Sequence, residues 1–245
     1  MSDATAEQRP QAAIPVVTID GPSGTGKGTI AAALAERLGF QVLDSGALYR
    51  ALALAALRAG IDPDDGPALG ELASRLRIGF TAGRVLLNGA EVEQHIRTED
   101  VGRAASRVAV HPEVRTALLD WQRAAAVPPG LVADGRDMGS RVFPGAQIKI
   151  YLDASPEERV QRRYKQLKDK GVDANLQGLA VELRDRDARD RSRAQDPLIV
   201  PDGAYRIDTT RLSIDGVLDQ VLAIVDAVAP TLLSATASDP IGSTT

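Results

Sequence analysis

Short β-branched or apolar runs recur along the chain at 16–20 (VVTID), 41–44 (QVLD), 131–134 (LVAD), 148–154 (IKIYLDA) and 205–210 (YRIDTT), separated by stretches with helical spacing of apolar positions. Strands alternating with helices predict an α/β fold, a five-stranded parallel sheet with helices on both faces. The first helix is expected from about Lys27 to Leu38, with Gly39 as its C-terminal cap. A later one is announced by Ser155-Pro156-Glu157-Glu158: Ser155 can cap, Pro156 fits the first helical position, and Glu158 can close a capping box.

One segment breaks this alternation. Residues 77–97 (RIGFTAGRVLLNGAEVEQHIR) offer short alternating runs joined by turn signals, among them Asn88-Gly89, a pair suited to antiparallel hairpins. A small β insertion on the α/β core is predicted, flanked by helices at roughly 68–76 and 98–126, with Pro112 marking a break. The ends, 1–13 and 229–245, are expected to be disordered tails around one domain at 14–228; the second is rich in Ser, Thr, Pro and Ala and lacks Lys and Arg.

Composition narrows the chemistry. The chain of 245 residues has no cysteine and two histidines, which excludes disulfides, thiolate metal sites and cysteine nucleophiles and nearly excludes a multi-histidine metal cluster. Its net charge of −4 supplies no global field for nucleic acid or a membrane surface, so any polyanion site must be local. The N-terminal stretch has no apolar signal-peptide core and no run approaches a membrane span, so a cytoplasmic location is expected.

The chemistry starts after the first strand. Residues 21–29, Gly21-Pro22-Ser23-Gly24-Thr25-Gly26-Lys27-Gly28-Thr29, contain G-x-x-x-x-G-K between a strand and a helix. Glycines let the backbone curl so that its N–H groups face an anion, the helix N-terminus adds partial positive charge, and Lys27 brings a full charge to the β and γ phosphates of a nucleotide. Gly28 stands where a Ser or Thr usually ligates Mg²⁺, with the hydroxyl displaced to Thr29; this ending is the form seen in nucleoside monophosphate kinases. A GTPase is disfavoured, because neither asparagine, Asn88 or Asn175, is followed by lysine as guanine readout requires.

Three further stretches bear on the acceptor. Ser45, Tyr49 and Arg50 open the helix after the second strand and make a second anion site suited to a monophosphate. Asp134 ends the third strand, where a carboxylate can orient the water shell of Mg²⁺, and Arg136 and Asp137 follow in a glycine-bracketed loop at the ligand-binding edge of such a sheet. Between 157 and 193 lie 11 Lys and Arg against 8 Asp and Glu. A solvated helix face is the plain reading of such a run; the excess of arginine over lysine favours a closing lid whose planar forks meet phosphate oxygens.

Taken together, IDGPSGTGKGT, LDSGALYR, ADGRDMG, VFPGAQIKIYLDAS with EERVQRR, and RDARDRSR make residues 14 to 228 resemble the bacterial cytidylate kinases. The resemblance implies a P-loop NTPase-like fold whose monophosphate-binding region is the insertion, about 68–126, and whose lid is short, about 155–193. It implies that residues 21–29 hold ATP, the phosphate donor, with Mg²⁺ as cofactor bound through water at Asp134 and not directly by protein. Ser45, Tyr49 and Arg50 would meet the acceptor phosphate; Ser106, Arg115 and Asp137 the cytosine; Arg186 and Asp190 the sugar; and Arg193 the acceptor. Lys27, Asp134, Arg136, Arg162, Arg163 and Arg193 would serve catalysis. The partners implied are ATP, CMP and dCMP, with no nucleic acid or membrane, acting on a monomer.

Two alternatives stay open on residues alone. Another small-molecule kinase would share the glycine-rich turn and differ in acceptor. An ATP-dependent switch gripping nucleic acid with its arginines is opposed by the acidic balance and by the scarcity of aromatic residues.

Overall fold

A computed structural model describes residues 14–81, 84–169, 171, 173 and 175–234. Five parallel strands, β1 (Val16–Asp20), β2 (Gln41–Asp44), β6 (Leu131–Gly135), β7 (Ile148–Asp153) and β8 (Tyr205–Asp208), form one sheet in the order β2-β6-β1-β7-β8. In register, Val17 lies opposite Val132 on one side and Ile148 on the other. All five residues of β1 are buried, as a central strand covered on both faces requires. Every strand predicted from the sequence is present, within two residues at its C-terminal end.

One face carries α1 (Lys27–Leu38) and α9 (Ile214–Val228), whose Ile30, Leu34, Val217 and Val221 pack on Val17, Ile19, Ile150 and Ile207. Gly39 ends α1 at φ 64°. On the other face, Leu43, Leu131 and Ala133 meet Met138 and Val142 of a π-helical turn at Met138–Val142.

The insertion is a body of its own around α2 (Ser45–Arg58), α3 (Gly66–Arg75), α5 (Glu99–Val108) and α6 (Pro112–Ala124). A short α4 (Glu93–Ile96) joins them, and β3 (Ile78–Thr81), β4 (Arg84–Leu87) and β5 (Ala90–Glu91) form a separate antiparallel sheet. Between β4 and β5 the two turn residues Asn88 and Gly89 sit at φ 50° and 86°, the positive pair that a tight hairpin needs. Phe80 of β3 packs on Trp121 of α6 with ring centroids 5.5 Å apart. The helical stretch expected over 98–126 with a break at Pro112 is two helices, and Pro112 lies in the first turn of the second.

The region expected to be a lid is a pair of helices, α7 (Pro156–Asp169) and α8 (Leu176–Ser192). Ser155 caps α7 by accepting from Glu158 N–H at 3.2 Å, but the reciprocal half of the capping box is not made. Ser155 N–H donates instead to Thr210 Oγ1, and the Glu158 carboxylate accepts from Arg162. Part of the stretch expected to be a C-terminal tail is ordered: Pro230–Ser234 forms α10, and Leu232 and Leu233 pack against the α1–α9 core. Their apolar side chains outweigh the tail-like composition around them. The expected tails at 1–13 and from 235 lie outside the described residues.

Candidate active site

The glycine-rich turn runs from the end of β1 into α1, and close approach dictates its sequence. At Gly21, φ 145°, a Cβ would stand 2.0 Å from the Leu152 carbonyl oxygen of β7. The turn braces itself: Thr25 Oγ1 donates to the Pro22 carbonyl at 3.1 Å, and Lys27 Nζ donates to the same oxygen at 2.8 Å. Lys27 is buried. Burial and the nearby Arg136 push its ammonium down to about 7, against the pull of Asp134.

This turn forms one wall of a cleft of about 310 Å³ enclosed by β6, α2, α5, α7 and α8. The cleft brings together Ser23, Gly24, Gly26, Lys27, Gly28, Thr29, Ser45, Tyr49, Arg50, Ser106, Asp134, Arg136, Asp137, Arg163, Arg186, Asp190 and Arg193 of the residues singled out from the sequence. Gly21, Pro22 and Thr25 belong to the turn without lining the cleft.

Two arginines are placed elsewhere. Arg162 donates to Glu158, to Thr209 Oγ1 at 3.0 Å and to the Thr209 carbonyl at 2.6 Å, which turns it from the cleft toward the end of β8. Arg115 is 4% exposed and lies behind Asp137, pairing with it through Nη2 and with Asp196 through Nε at 3.3 Å. Asp137 lines the cleft and Arg115 supports it.

The remaining side chains are held from several elements. Arg50 donates to the Ile96 and Thr98 carbonyls at 2.9 and 3.3 Å. Arg136 donates to Asp190 of α8 at 3.0 Å, Arg163 of α7 to Glu99 of α5, and Arg189 of α8 to Ser106 of α5 at 3.1 Å. The α7–α8 pair and α5 of the insertion therefore touch directly.

Seven cationic side chains line the cleft against four carboxylates. They crowd one another: Arg186 is pushed down to about 10 by burial and by Arg136, and Arg193 is lowered by burial and by Arg115. Burial lifts Asp134 to about 6 despite Lys27. Burial would lift Asp190 too, but Arg136, Arg186 and Arg193 outweigh it and hold that carboxyl below the usual range. Arg193 Nη2 is buried with no hydrogen-bond partner among the described residues. A surplus of positive charge and an orphaned guanidinium donor fit a polyanionic ligand bearing ring or phosphate acceptors. Among the described residues no group of three or more His, Cys, Asp or Glu side chains could hold a metal ion. Asp134 beside Lys27 fits a metal carried on phosphates.

Sequence reasoning missed several groups here. Asp20 and Asp44 carry a visible signal, a carboxylate ending an apolar strand, and Asp44 also caps α2; Arg97, Glu99 and Gln166 carry none, being ordinary charged or polar positions at or within helices.

The cytidylate kinase family profile matches residues 17–227. A cytidylate kinase of Aeromonas salmonicida (strain A449) is 55% identical over 216 residues, covering 86% of this chain and 94% of that protein. A cytidylate kinase of Pasteurella multocida (strain Pm70) is 52% identical over 214 residues, again 86% of this chain and 94% of the relative. Among solved structures, a gluconokinase from Sinorhizobium meliloti 1021 aligns over 92% of this chain and 98% of its own with a TM-score of 0.49 and 14% identity.

Proposed function

The chain belongs to the cytidylate kinase family, and from that premise we infer that it transfers the γ-phosphoryl group of ATP to CMP or dCMP, giving CDP or dCDP and ADP. The observation that carries this reading at the level of residues is one cleft lined both by the Lys27 turn and by Asp137, together with Arg193 and its orphaned nitrogen.

An oxygen of the acceptor phosphate attacks the γ-phosphorus as the bond from phosphorus to the β–γ bridging oxygen breaks, leaving the negative charge on ADP. That phosphate is already nucleophilic, so positioning and charge stabilisation do the work. Lys27, Arg136, Arg163 and Arg193 face the cleft and neutralise charge spread over the moving group. Mg²⁺, when bound, neutralises the donor phosphates, and Asp134 would hold its water shell. Ser45, Tyr49 and Arg50 receive the acceptor phosphate, with Arg186 and Asp190 at the sugar. Contact between lid and insertion excludes water, which protects ATP from hydrolysis.

Base choice follows from hydrogen-bond polarity. Asp137 accepts from the exocyclic amine of cytosine, while Ser106 and a guanidinium nitrogen meet the ring acceptors. Uracil presents a carbonyl and a ring N–H in their place, and mispairs of that kind cost about 1–3 kcal/mol each. The protein acts as a monomer without nucleic acid, in the cytoplasm; no helix among the described residues is long and apolar enough to cross a membrane.

The test is a coupled ADP-release assay with MgATP and CMP, dCMP, UMP, AMP, GMP or no acceptor, on wild type and Asp137→Ala. CMP and dCMP leading in the wild type, with the preference lost in the variant, supports the reading. No acceptor exceeding the blank overturns it.

A further inference from the structure

Asp196 lies in the loop that follows α8, three residues beyond Arg193, with its backbone at φ 51°. Few side chains tolerate that left-handed conformation, and aspartate is among those that do. The loop spends this conformation on pointing a carboxylate inward: the side chain is 15% exposed and faces Arg115 at 3.3 Å and Arg141 at 3.5 Å.

The consequence lies in how Arg115 is shared. Its Nη1 donates to the Ala109 carbonyl beyond α5 at 3.3 Å, its Nη2 to Asp137 Oδ2, and its Nε to Asp196 Oδ2 at 3.3 Å. Nε and Nη2 form one edge of the guanidinium fork, an edge that a single carboxylate readily takes with both its oxygens. Here two carboxylates split it. Without Asp196, the buried Arg115 has Asp137 as its one close anion among the described residues, and the full edge can close on both Asp137 oxygens. Those oxygens are what a base amine needs.

We propose that Asp196 is a positioning residue for recognition of the acceptor base: by taking the Nε edge of Arg115 it keeps Asp137 available to the amine, and it ties that pair to the loop behind α8. The inference rests on the cytidylate kinase reading of the cleft. Through it, base reading depends on the loop being docked, and that loop continues directly from the helix carrying Arg186 and Asp190.

Steady-state kinetics of Asp196→Ala, Asp196→Asn and Arg141→Ala against wild type, with CMP and UMP as acceptors, test this. For Asp196→Ala the expected result is a KM for CMP raised by about tenfold and a CMP over UMP preference reduced by a similar factor, with kcat and the ATP KM within about twofold. Asp196→Asn, which tolerates the left-handed backbone and keeps an oxygen for Nε, retains part of the preference. Arg141 is 44% exposed, and its alanine variant stays within about twofold throughout. An unchanged CMP KM and preference in Asp196→Ala overturn the proposal, as does a parallel rise of both KM values with a fall in Tm, the mark of a merely structural loop. A wild type with no CMP preference overturns the underlying reading instead, and the inference with it.

Discussion

Asp20 Oδ2 accepts the backbone N–H of Gly139 at 2.7 Å, while its Oδ1 accepts that of Met138 at 2.8 Å. The last residue of the strand that feeds the ATP turn thus fixes the turn that opens just after Asp137. Asp20 is fully buried, and burial pushes its carboxyl up to about 7 against those two hydrogen bonds. In Asp20→Asn one oxygen becomes an NH₂ group facing an N–H donor, so one bond is lost and a repulsive contact replaces it. A loss of about 1–3 kcal/mol of stability is expected, together with a CMP KM raised more than the ATP KM. Denaturant midpoints and the two KM values measure both; an ATP KM raised with the CMP KM unchanged would show that Asp20 serves the ATP turn alone.

What the sequence made legible was local. The five strands, α1 with its glycine end, and the Asn88-Gly89 hairpin each announce themselves within a few neighbouring residues. The lining of the cleft was legible where motifs flank a strand end, as at Lys27, Ser45 and Asp134. Long-range partnership was not: Asp20 and Gly139 are 119 residues apart, and nothing near either names the other. Arg162 and Arg163 are adjacent on α7, and only the packing of that helix decides which one looks into the cleft.

That difference between neighbours is measurable. Arg163 faces the cleft, and Arg162 braces Thr209, whose hydroxyl in turn sits between two carbonyl acceptors, Asp153 at 3.0 Å and Thr25 of the ATP turn at 3.4 Å. Arg163→Ala is expected to lower kcat by about 10²-fold, the size of losing one charge-stabilising donor. Arg162→Ala is expected to act mainly on the ATP KM. Single-turnover rates at saturating ATP separate them, and equal losses in the chemical step would place Arg162 at the reacting phosphates after all.

Lys27 sets a pH dependence for donor binding. Its ammonium, pushed down to about 7 in the free enzyme, rises again when the nucleotide supplies negative charge. The free enzyme already carries the proton below that value and must take one up above it. ATP affinity is therefore expected to level off below pH 7 and to weaken as pH rises toward about 9, by at most about tenfold per unit. Titration calorimetry in two buffers of different ionisation enthalpy should record proton uptake near pH 8. Lys27→Met should bind ATP more weakly with no such uptake; uptake persisting in the variant would assign the proton to another group.

Arg159 of α7 is buried and donates to the Ser23 carbonyl in the ATP turn at 3.2 Å, to the Ala154 carbonyl at 3.3 Å, and to Asp187 of α8 at 2.7 Å. Both charged side chains are about 5% exposed, and Asp187 Oδ1 has no partner among the described residues. Such a pair contributes little net stability relative to well-packed apolar groups, yet removing Arg159 leaves Asp187 with the longer contact to Arg191 at 3.8 Å, at a cost of up to about 3–5 kcal/mol. Arg159→Met alone should therefore be strongly destabilised, and Arg159→Met with Asp187→Leu should recover most of the loss. The hydrogen bond to Ser23 is absent in both. If the pair also holds the ATP turn against the lid helices, the double variant regains its denaturant midpoint while its ATP KM stays several-fold high; recovery of both would reduce the pair to packing between α7 and α8.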